Sequence, residues 1–443
     1  MPKITVIMPS LNVAKYISAC LNSVLKQTLQ DMEILVIDAG SDDGTAEILN
    51  EYALKDKRVQ IIYSKNRSYG YQVNIGLTHA LGEYIGIVET DDMIAENMYE
   101  VLYQTAIDDA LEYVKCGYTT FIELDNGMRW DQAGGVCIGD RGMIGKIVSP
   151  KSMPELAIQD YYLWAGIYKK DFLKDIRLSE TPGASFQDIG FIYQVLSTAD
   201  RAKYLDDALY YYRQTKGNSS YNVNGFRYLL CEYGNVEKML PQKSGIWRQA
   251  CYERMFRQIV GRFEKMAVGG AYWKDTEEVL QLLQDKLKQA QAHGMFNPEK
   301  LSKDNQEIYD KLMEAPQKLY EEECALIEPY KRKLYELLEA VGDKEVVIFG
   351  CGSYGKYIHT LLEVYKTSQV RAFCDNNREL WNTVIQGAEV IEPFYAARKY
   401  MDLQYVIASK KADEIYRQLI KLKIKKSQIY ICDLEYNLKF FLM

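Results

Sequence analysis

Histidine is almost missing from this sequence. Its 443 residues hold three, His79, His293 and His359, too few and too scattered for a multi-histidine metal centre or a histidine-dependent triad. The nine cysteines form no Cys-x-x-Cys pair and no close Cys/His cluster. That argues against structural zinc and against a disulfide framework, and fits a reducing, cytoplasmic setting. No apolar run reaches the roughly 18 residues of a membrane-spanning helix, and the N-terminus enters a strand pattern at once rather than a signal peptide. A surplus of positive charge is lacking too. Lys and Arg number 54 against 61 Asp and Glu, a formal net charge of -7, so there is no basic footprint for a nucleic-acid partner. What is present is an ordinary globular balance, 48% hydrophobic and 26% charged, in a length that suits two to three domains. Tyrosine is abundant at 36; its ring suits cores and also flat polar ligands such as sugars and nucleobases.

Strand and helix patterns alternate from the start. Residues 4–8, 33–38, 59–64 and 84–88 read as strands, and 14–26, 45–52, 71–81 and 97–111 as helices. Such alternation implies a parallel sheet covered on both faces, with ligands at the carboxyl ends of the strands. Those ends carry Asn12, Asp38, Asn66 and the run Glu89-Thr90-Asp91-Asp92. Residues 125–147 are glycine-rich and polar and are expected to form a loop over the site. From about 226 to 340 the pattern is helical, clearest at 277–291 and 317–341. Strand, glycine loop and helix return at 345–364, with further strands at 369–374, 404–408 and 428–432. The expected division is therefore 1–225, a helical region 226–342, and a small α/β domain 343–443.

Carboxylates at the end of a buried strand suit a hard divalent cation, Mg2+ or Mn2+, which takes oxygen ligands and keeps a substrate phosphate in its shell. They also suit a solvated turn or a helix cap. The surrounding motifs favour the first reading. Val6-Ile7-Met8-Pro9-Ser10-Leu11-Asn12, Asp38-Ala39-Gly40-Ser41-Asp42-Asp43-Gly44-Thr45, Asn74-Ile75-Gly76, Gly82-Glu83-Tyr84-Ile85 and Glu89-Thr90-Asp91 occur in that order. Together they resemble the nucleotide-sugar-binding half of family-two glycosyltransferases with the GT-A fold. The resemblance implies a nucleotide-sugar site built from Pro9, Asn12, Asp38, Asn66, Asn74, Glu89 and Thr90. Asp38 would accept a hydrogen bond from the base, most often uracil; Glu89 would lie near the ribose; and Asp91 would bind the cation that bridges the diphosphate. Three departures stand out: Glu89 in place of Asp, Leu11 where an aromatic is common, and Val73 where arginine is common.

Inverting sugar transfer needs a base to take the acceptor proton. The segment 184–191 resembles the family's Glu-Asp-x-x-Phe stretch, which makes Asp188 that base, with Gln187 in place of Glu. The exchange is expected to raise the pKa of Asp188. Trp164 begins a segment resembling the family's Trp-x-x-x-Tyr and, like Gln187, is a candidate sugar or acceptor contact; core packing is the competing role. Tyr210-Tyr211-Tyr212-Arg213 and Asn218-Ser219-Ser220 resemble the close of the catalytic domain, and Arg213 could meet the diphosphate or make a structural ion pair.

Near the C-terminus, Val346–Phe349 leads into Gly350-Cys351-Gly352-Ser353-Tyr354-Gly355, and Asp375 follows 20 positions after Gly355. This is the layout of a dinucleotide-binding fingerprint, and the segment resembles small Rossmann-like modules appended to bacterial sugar-modifying enzymes. Gly350, Gly352, Gly355 and Asp375 form a candidate second nucleotide site, with close packing as the other use of the glycines. Lys410–Lys426 is a basic amphipathic stretch, with seven Lys/Arg against Asp413 and Glu414, of the kind that can sit on anionic lipid or form a solvated helix face. The resulting expectation is a cytoplasmic, metal-dependent, inverting glycosyltransferase. It would use a nucleotide-sugar donor, UDP-linked, and a saccharide or lipid-linked acceptor of surface-polysaccharide assembly, with peripheral membrane contact. A non-catalytic nucleotide-binding protein and an NAD(P)-dependent redox enzyme are the alternatives.

Overall fold

Two strands of seven residues, β1 (Ile4–Ser10) and β2 (Met32–Asp38), are buried along their whole length. Near-continuous apolar runs of this kind belong inside a parallel sheet with both faces covered. The computed structural model describes residues 1–123, 129–136, 138, 140–160, 162–183, 185–214, 223–263, 273–365 and 369–432. Around β1 and β2 the chain alternates α1 (Ile17–Leu25), α2 (Thr45–Lys55), β3 (Val59–Tyr63), α3 (Tyr69–His79) and β4 (Tyr84–Ile87). Strands β3, β2, β1 and β4 run parallel in that order. The order reverses between β1 and β4, so the crevice outside their carboxyl ends is the ligand position of such a sheet.

Past β4 the sheet is mixed rather than wholly parallel. It takes in β5 (Met93–Ile94), α4 (Met98–Asp108), β6 (Tyr113–Glu123), β7 (Arg129–Ala133), β8 (Ile147–Val148), β9 (Gly166–Lys169) and β10 (Ala202–Arg213). Strand β9 lies antiparallel between β4 and β6, and β10 lies parallel to β6. The glycine-rich stretch expected as a loop holds two of these strands: β7 pairs with β6 and β8 with β10. Alternation there is short and broken by glycine, which hides it from a periodicity test. Helix α5 (Gln187–Leu196) precedes β10.

The helical region contains α6 (Val223–Glu237), α7 (Gly245–Val260), α8 (Trp273–Ala292), α9 (Lys303–Glu314), α10 (Pro316–Ala325) and α11 (Glu328–Val341). The stretch 317–341 is thus two helices. Pro329 sits in the first turn of α11; having no N–H and a fixed φ, it starts a helix well and continues one badly. A second sheet follows, ordered β13-β14-β12-β11-β15-β16, built from β11 (Glu345–Phe349), α12 (Ser353–Tyr365), β12 (Gln369–Cys374), β13 (Val384–Ile385), β14 (Ala388–Ile391), α13 (Pro393–Lys399), β15 (Gln404–Ile407), α14 (Ala412–Lys421) and β16 (Ile429–Ile431). All its neighbours are parallel except β13 with β14. Among the described residues no helix is long and apolar enough to cross a membrane.

Candidate active site

The turns at the ends of β1 and β2 bind each other. Asn12 adopts φ +53°, a left-handed conformation that asparagine tolerates better than most residues. Its backbone N–H donates to Ser41 Oγ at 2.9 Å, its Nδ2 donates to Asp42 Oδ1 at 3.0 Å, and its Oδ1 accepts from the Asp42 N–H at 2.9 Å. Asp38 is 1% exposed. Its Oδ2 accepts from the N–H groups of Gly40 and Ser41, both at 3.1 Å, and its Oδ1 accepts from the Ser41 hydroxyl at 2.6 Å. Asp38 therefore shapes the turn, with three of the roughly four acceptor positions of its carboxylate taken. Thr90 and Asn74 are engaged likewise. Thr90, buried, donates its hydroxyl to the Pro9 carbonyl at 2.9 Å, tying the end of β1 to the acidic segment. Asn74 donates to Leu178 O at 2.9 Å and Glu180 Oε1 at 2.8 Å and accepts from the Leu178 N–H at 3.0 Å. Its amide anchors the segment that leads to Asp188. Asn66 is half-buried in the turn after β3, its N–H donating to Ser64 Oγ at 3.1 Å.

A cavity of about 250 Å³ opens where α3, the end of β4 and the start of α5 meet. Tyr69, Glu89, Trp164, Ser185, Phe186, Gln187 and Asp188 line it. Gln187 is 1% exposed and assembles this corner: its Oε1 accepts from the Gly70 N–H at 2.7 Å, and its Nε2 donates to Thr181 O at 2.9 Å and Ser68 Oγ at 3.3 Å. The approach demands glycine at position 70, where a Cβ would stand 1.9 Å from the Ser179 carbonyl oxygen. Gln187 is thus a clamp between α3 and α5 rather than a ligand contact. Phe186, just before α5, sits at φ +74°, a strained conformation for a bulky residue of the kind that clusters at functional sites. The Arg262 guanidinium lies 4.3 Å from the Phe186 ring centroid.

Two carboxylates face this cavity from opposite sides. Glu89 accepts from the Tyr69 hydroxyl at 2.5 Å. Burial pushes the Glu89 carboxyl up to about 8, and the charges of Asp91 and Asp188 push the same way against the Tyr69 hydrogen bond. Asp188 stands in the first turn of α5, where the helix dipole favours a negative group. Its pKa is raised, by burial, while the charges of Arg254 and Arg262 pull it down. The direction agrees with expectation and the cause does not. Replacing a neighbouring glutamate by Gln187 removes repulsion, which on its own lowers a carboxyl pKa.

The other acidic residues divide into a fastened one and an available one. Asp92 is 0% exposed; its Oδ1 accepts from the Arg213 N–H at 2.7 Å and its Oδ2 from the Tyr210 hydroxyl at 2.8 Å. Asp91 is half-exposed, and burial raises its carboxyl while Arg213 lowers it. Arg213 is itself buried. It donates Nε to the Asp91 carbonyl at 2.6 Å, pairs with Glu123, and lies over the rings of Tyr16 and Phe121. The structural ion pair, one of its two expected roles, is present, and it fixes the backbone beneath Asp91. Trp164 is 5% exposed, with its ring 4.3 Å from Tyr210, 4.5 Å from Tyr162 and 5.0 Å from Tyr212. Packing takes most of its surface and leaves an edge to the cavity. Residues 218–220 lie outside the described residues.

In the second sheet the glycine loop closes on itself. Asp375 accepts from the Cys351 N–H at 2.8 Å on Oδ2 and from the Asn377 N–H at 2.9 Å on Oδ1. Both Asp375 oxygens are thus engaged by backbone N–H groups, one from the glycine loop and one from its own turn. Motif reasoning missed Tyr69, Phe186, Arg254 and Arg262. Of these only Phe186 lies in a motif segment, 184–191, which gave it no role, and the arginines come from or after α7, far along the chain.

Residues 5–176 match the family model described as Glycosyl transferase family 2. The match runs from β1 past β9 and identifies this part of the chain, and not the whole of it, as similar to family-2 glycosyltransferases. Curated relatives of this part include glycosyltransferase GlyG of Streptococcus pneumoniae serotype 4, 29% identical over 218 residues that cover 48% of this chain and 72% of GlyG. The uncharacterized glycosyltransferase EpsJ of Bacillus subtilis is 28% identical over 220 residues, which cover 48% of this chain and 61% of EpsJ. The match to EpsJ thus spans less than two thirds of that protein. Among solved structures, residues 1–349 of S. aureus TarS in complex with UDP-GlcNAc superpose with a TM-score of 0.53 at 18% identity, covering 74% of this chain and 92% of that one. The shared architecture is the GT-A fold, and in this chain a second sheet follows the part similar to family 2.

Proposed function

We propose that this chain is an inverting glycosyltransferase that moves a sugar from a UDP-sugar to a hydroxyl of a saccharide, free or lipid-linked, in surface-polysaccharide assembly. One observation carries the reading. Asp188 shares a cavity with Glu89, two residues from Asp91, at the carboxyl ends of the parallel strands in the part similar to family-2 glycosyltransferases. That juxtaposition supports a donor end at Asp91 and a proton acceptor at Asp188. A carboxylate whose pKa is raised is a stronger base than a free one. Attack by the acceptor hydroxyl on the anomeric carbon, with its proton passing to an Asp188 oxygen, needs no covalent enzyme intermediate and inverts the centre. Nucleotide choice rests on the family resemblance, in which Asp38 meets the base.

The donor set fits Mg2+ or Mn2+. Asp91 offers hard oxygen ligands, and a divalent cation there would favour the ionised form of nearby Glu89, which burial and the charges of Asp91 and Asp188 otherwise disfavour. Among the described residues no group of three or more His, Cys, Asp or Glu is arranged to hold a metal, so the shell would be completed by diphosphate oxygens. When bound, the cation neutralises charge on the departing nucleoside diphosphate.

The test is a screen of nucleotide sugars, with and without Mn2+, for released nucleoside diphosphate. One donor is expected to stand out, and cation dependence should accompany it. Asp188→Asn should lower kcat by about 10²–10⁴ while calorimetry finds UDP affinity unchanged. Undiminished turnover in that variant removes Asp188 as the base, and silence across all donors removes the enzyme reading.

A further inference from the structure

The second sheet has two unlike covers. Residues alternate along its strands: Val346, Ile348, Phe373 and Val406 pack on one face with Leu334 and Leu337 of α11 and Ile358 and Leu361 of α12. Val347, Phe349, Ala372, Cys374 and Ile407 pack on the other with Ala396 and Ala397 of α13 and Ile415 and Leu419 of α14. Helices α13 and α14 therefore lie side by side on one face, and their outer surfaces look the same way.

That outer surface is cationic and aromatic. Residues 392–428 hold nine Lys/Arg against four Asp/Glu, in a chain whose formal net charge is -7. Arg398, Lys399, Arg417, Lys421 and Lys426 are all exposed. Phe394 is 56%, Tyr395 48% and Met401 54% exposed. The cations keep close to the rings, with the Arg398 guanidinium 5.8 Å from the Phe394 centroid and Lys399 Nζ 5.5 Å from that of Tyr395. The apolar residues of the basic stretch point the other way: Ile415, Leu419 and Ile424 are buried in the core. The amphipathic pattern seen in the sequence is thus consumed by the fold, and α14 has no apolar stripe left to insert.

We propose that the outer face of α13 and α14 docks this module onto an anionic lipid bilayer, through charge and through interfacial Phe394, Tyr395 and Met401. Lysines near such a surface bind without losing their water, and aromatic side chains settle at headgroup depth. A strand of nucleic acid would meet the net negative charge of the whole chain, which disfavours it as the partner of this surface.

The full chain should co-sediment with vesicles of phosphatidylcholine mixed with phosphatidylglycerol, and not with phosphatidylcholine alone. Added salt should release it. Replacing Arg417, Lys421 and Lys426 together by Gln should weaken binding roughly fivefold per charge, with an unchanged unfolding midpoint as the control for folding. Phe394→Ser with Tyr395→Ser should weaken binding while leaving its salt dependence as it was. No binding to phosphatidylglycerol vesicles at low salt overturns the proposal. So does a triple variant that binds as well as the parent, or tighter binding to a single-stranded oligonucleotide than to the vesicles.

Discussion

The two sheets of this chain end alike and differ in what their acids have left to give. In each, a buried parallel strand runs into a turn of small residues with an aspartate nearby. In the second sheet Asp375 has both oxygens engaged by Cys351 and Asn377, and the glycines serve contact: a Cβ at Gly355 would lie 1.9 Å from the Gly350 carbonyl oxygen, and one at Gly350 would lie 2.4 Å from the Ala408 carbonyl oxygen. In the first sheet Asp92 is fastened in the same manner and Asp38 braces its own turn, but Glu89, Asp91 and Asp188 remain, with pKa values raised by burial. A site arises where carboxylates outnumber the donors the fold supplies, since only the surplus can take a ligand's proton or cation.

Exchanging the aspartates of the two sheets tests this contrast most severely. Asp91→Ala should abolish the coupling between Mn2+ and UDP binding, a loss of roughly 5–150-fold in nucleotide affinity at saturating Mn2+. Asp375→Ala should leave that coupling intact, because its partners are backbone groups of the glycine loop and of its own turn. Calorimetry with and without Mn2+ separates the two, and equal behaviour of the variants would erase the distinction.

A smaller effect sharpens the other side. Gly355→Ala forces a methyl against the backbone of Gly350 and should cost about 1–3 kcal/mol. Gly352→Ala, with nothing within 4 Å of its added Cβ, should stay within about 0.5 kcal/mol of the parent. Unfolding in denaturant reads both. If Gly352→Ala proved the costlier, the loop would be shaped by something other than packing.

The same contrast explains what could be read from residues alone. Strand β2 was legible as a continuous apolar run and helix α1 by the spacing of Ile17, Leu21 and Val24, and Glu89, Asp91 and Asp188 because carboxylates at strand and helix ends sit in ordered motifs. Motifs report residue type and position but not how many hydrogen bonds a side chain already makes. Asp38, Asn74, Thr90 and Gln187 carried the right chemistry for a ligand and serve as braces, Asp38 within its own turn and the other three to segments far away in sequence. Tyr69 and Arg254 were invisible for the opposite reason, being ordinary helix residues that only tertiary packing brings beside the acids. The strands within 125–147 escaped because glycine interrupts them.

The least of the effects bears on how Asp188 is tuned. Glu232 on α6 is buried; its carboxyl accepts from Ser179 and Asn235, and burial raises its pKa to about 7 with the Asp188 charge acting in the same sense. Burial comes first among the causes that raise the Asp188 pKa, and the charges of Arg254 and Arg262 oppose it. A general base must be deprotonated, so kcat/KM should fall as pH drops through that pKa, which lies above the ordinary carboxylate value. Glu232→Gln keeps the shape and removes the charge. Because burial holds the Asp188 pKa up, and Glu232 is mostly neutral on the acid side of its own pKa of about 7, the acid limb of the profile should stay within about 0.3 pH units of the parent's. A limb that moved to lower pH would mean that the Glu232 charge, and not burial, raises Asp188.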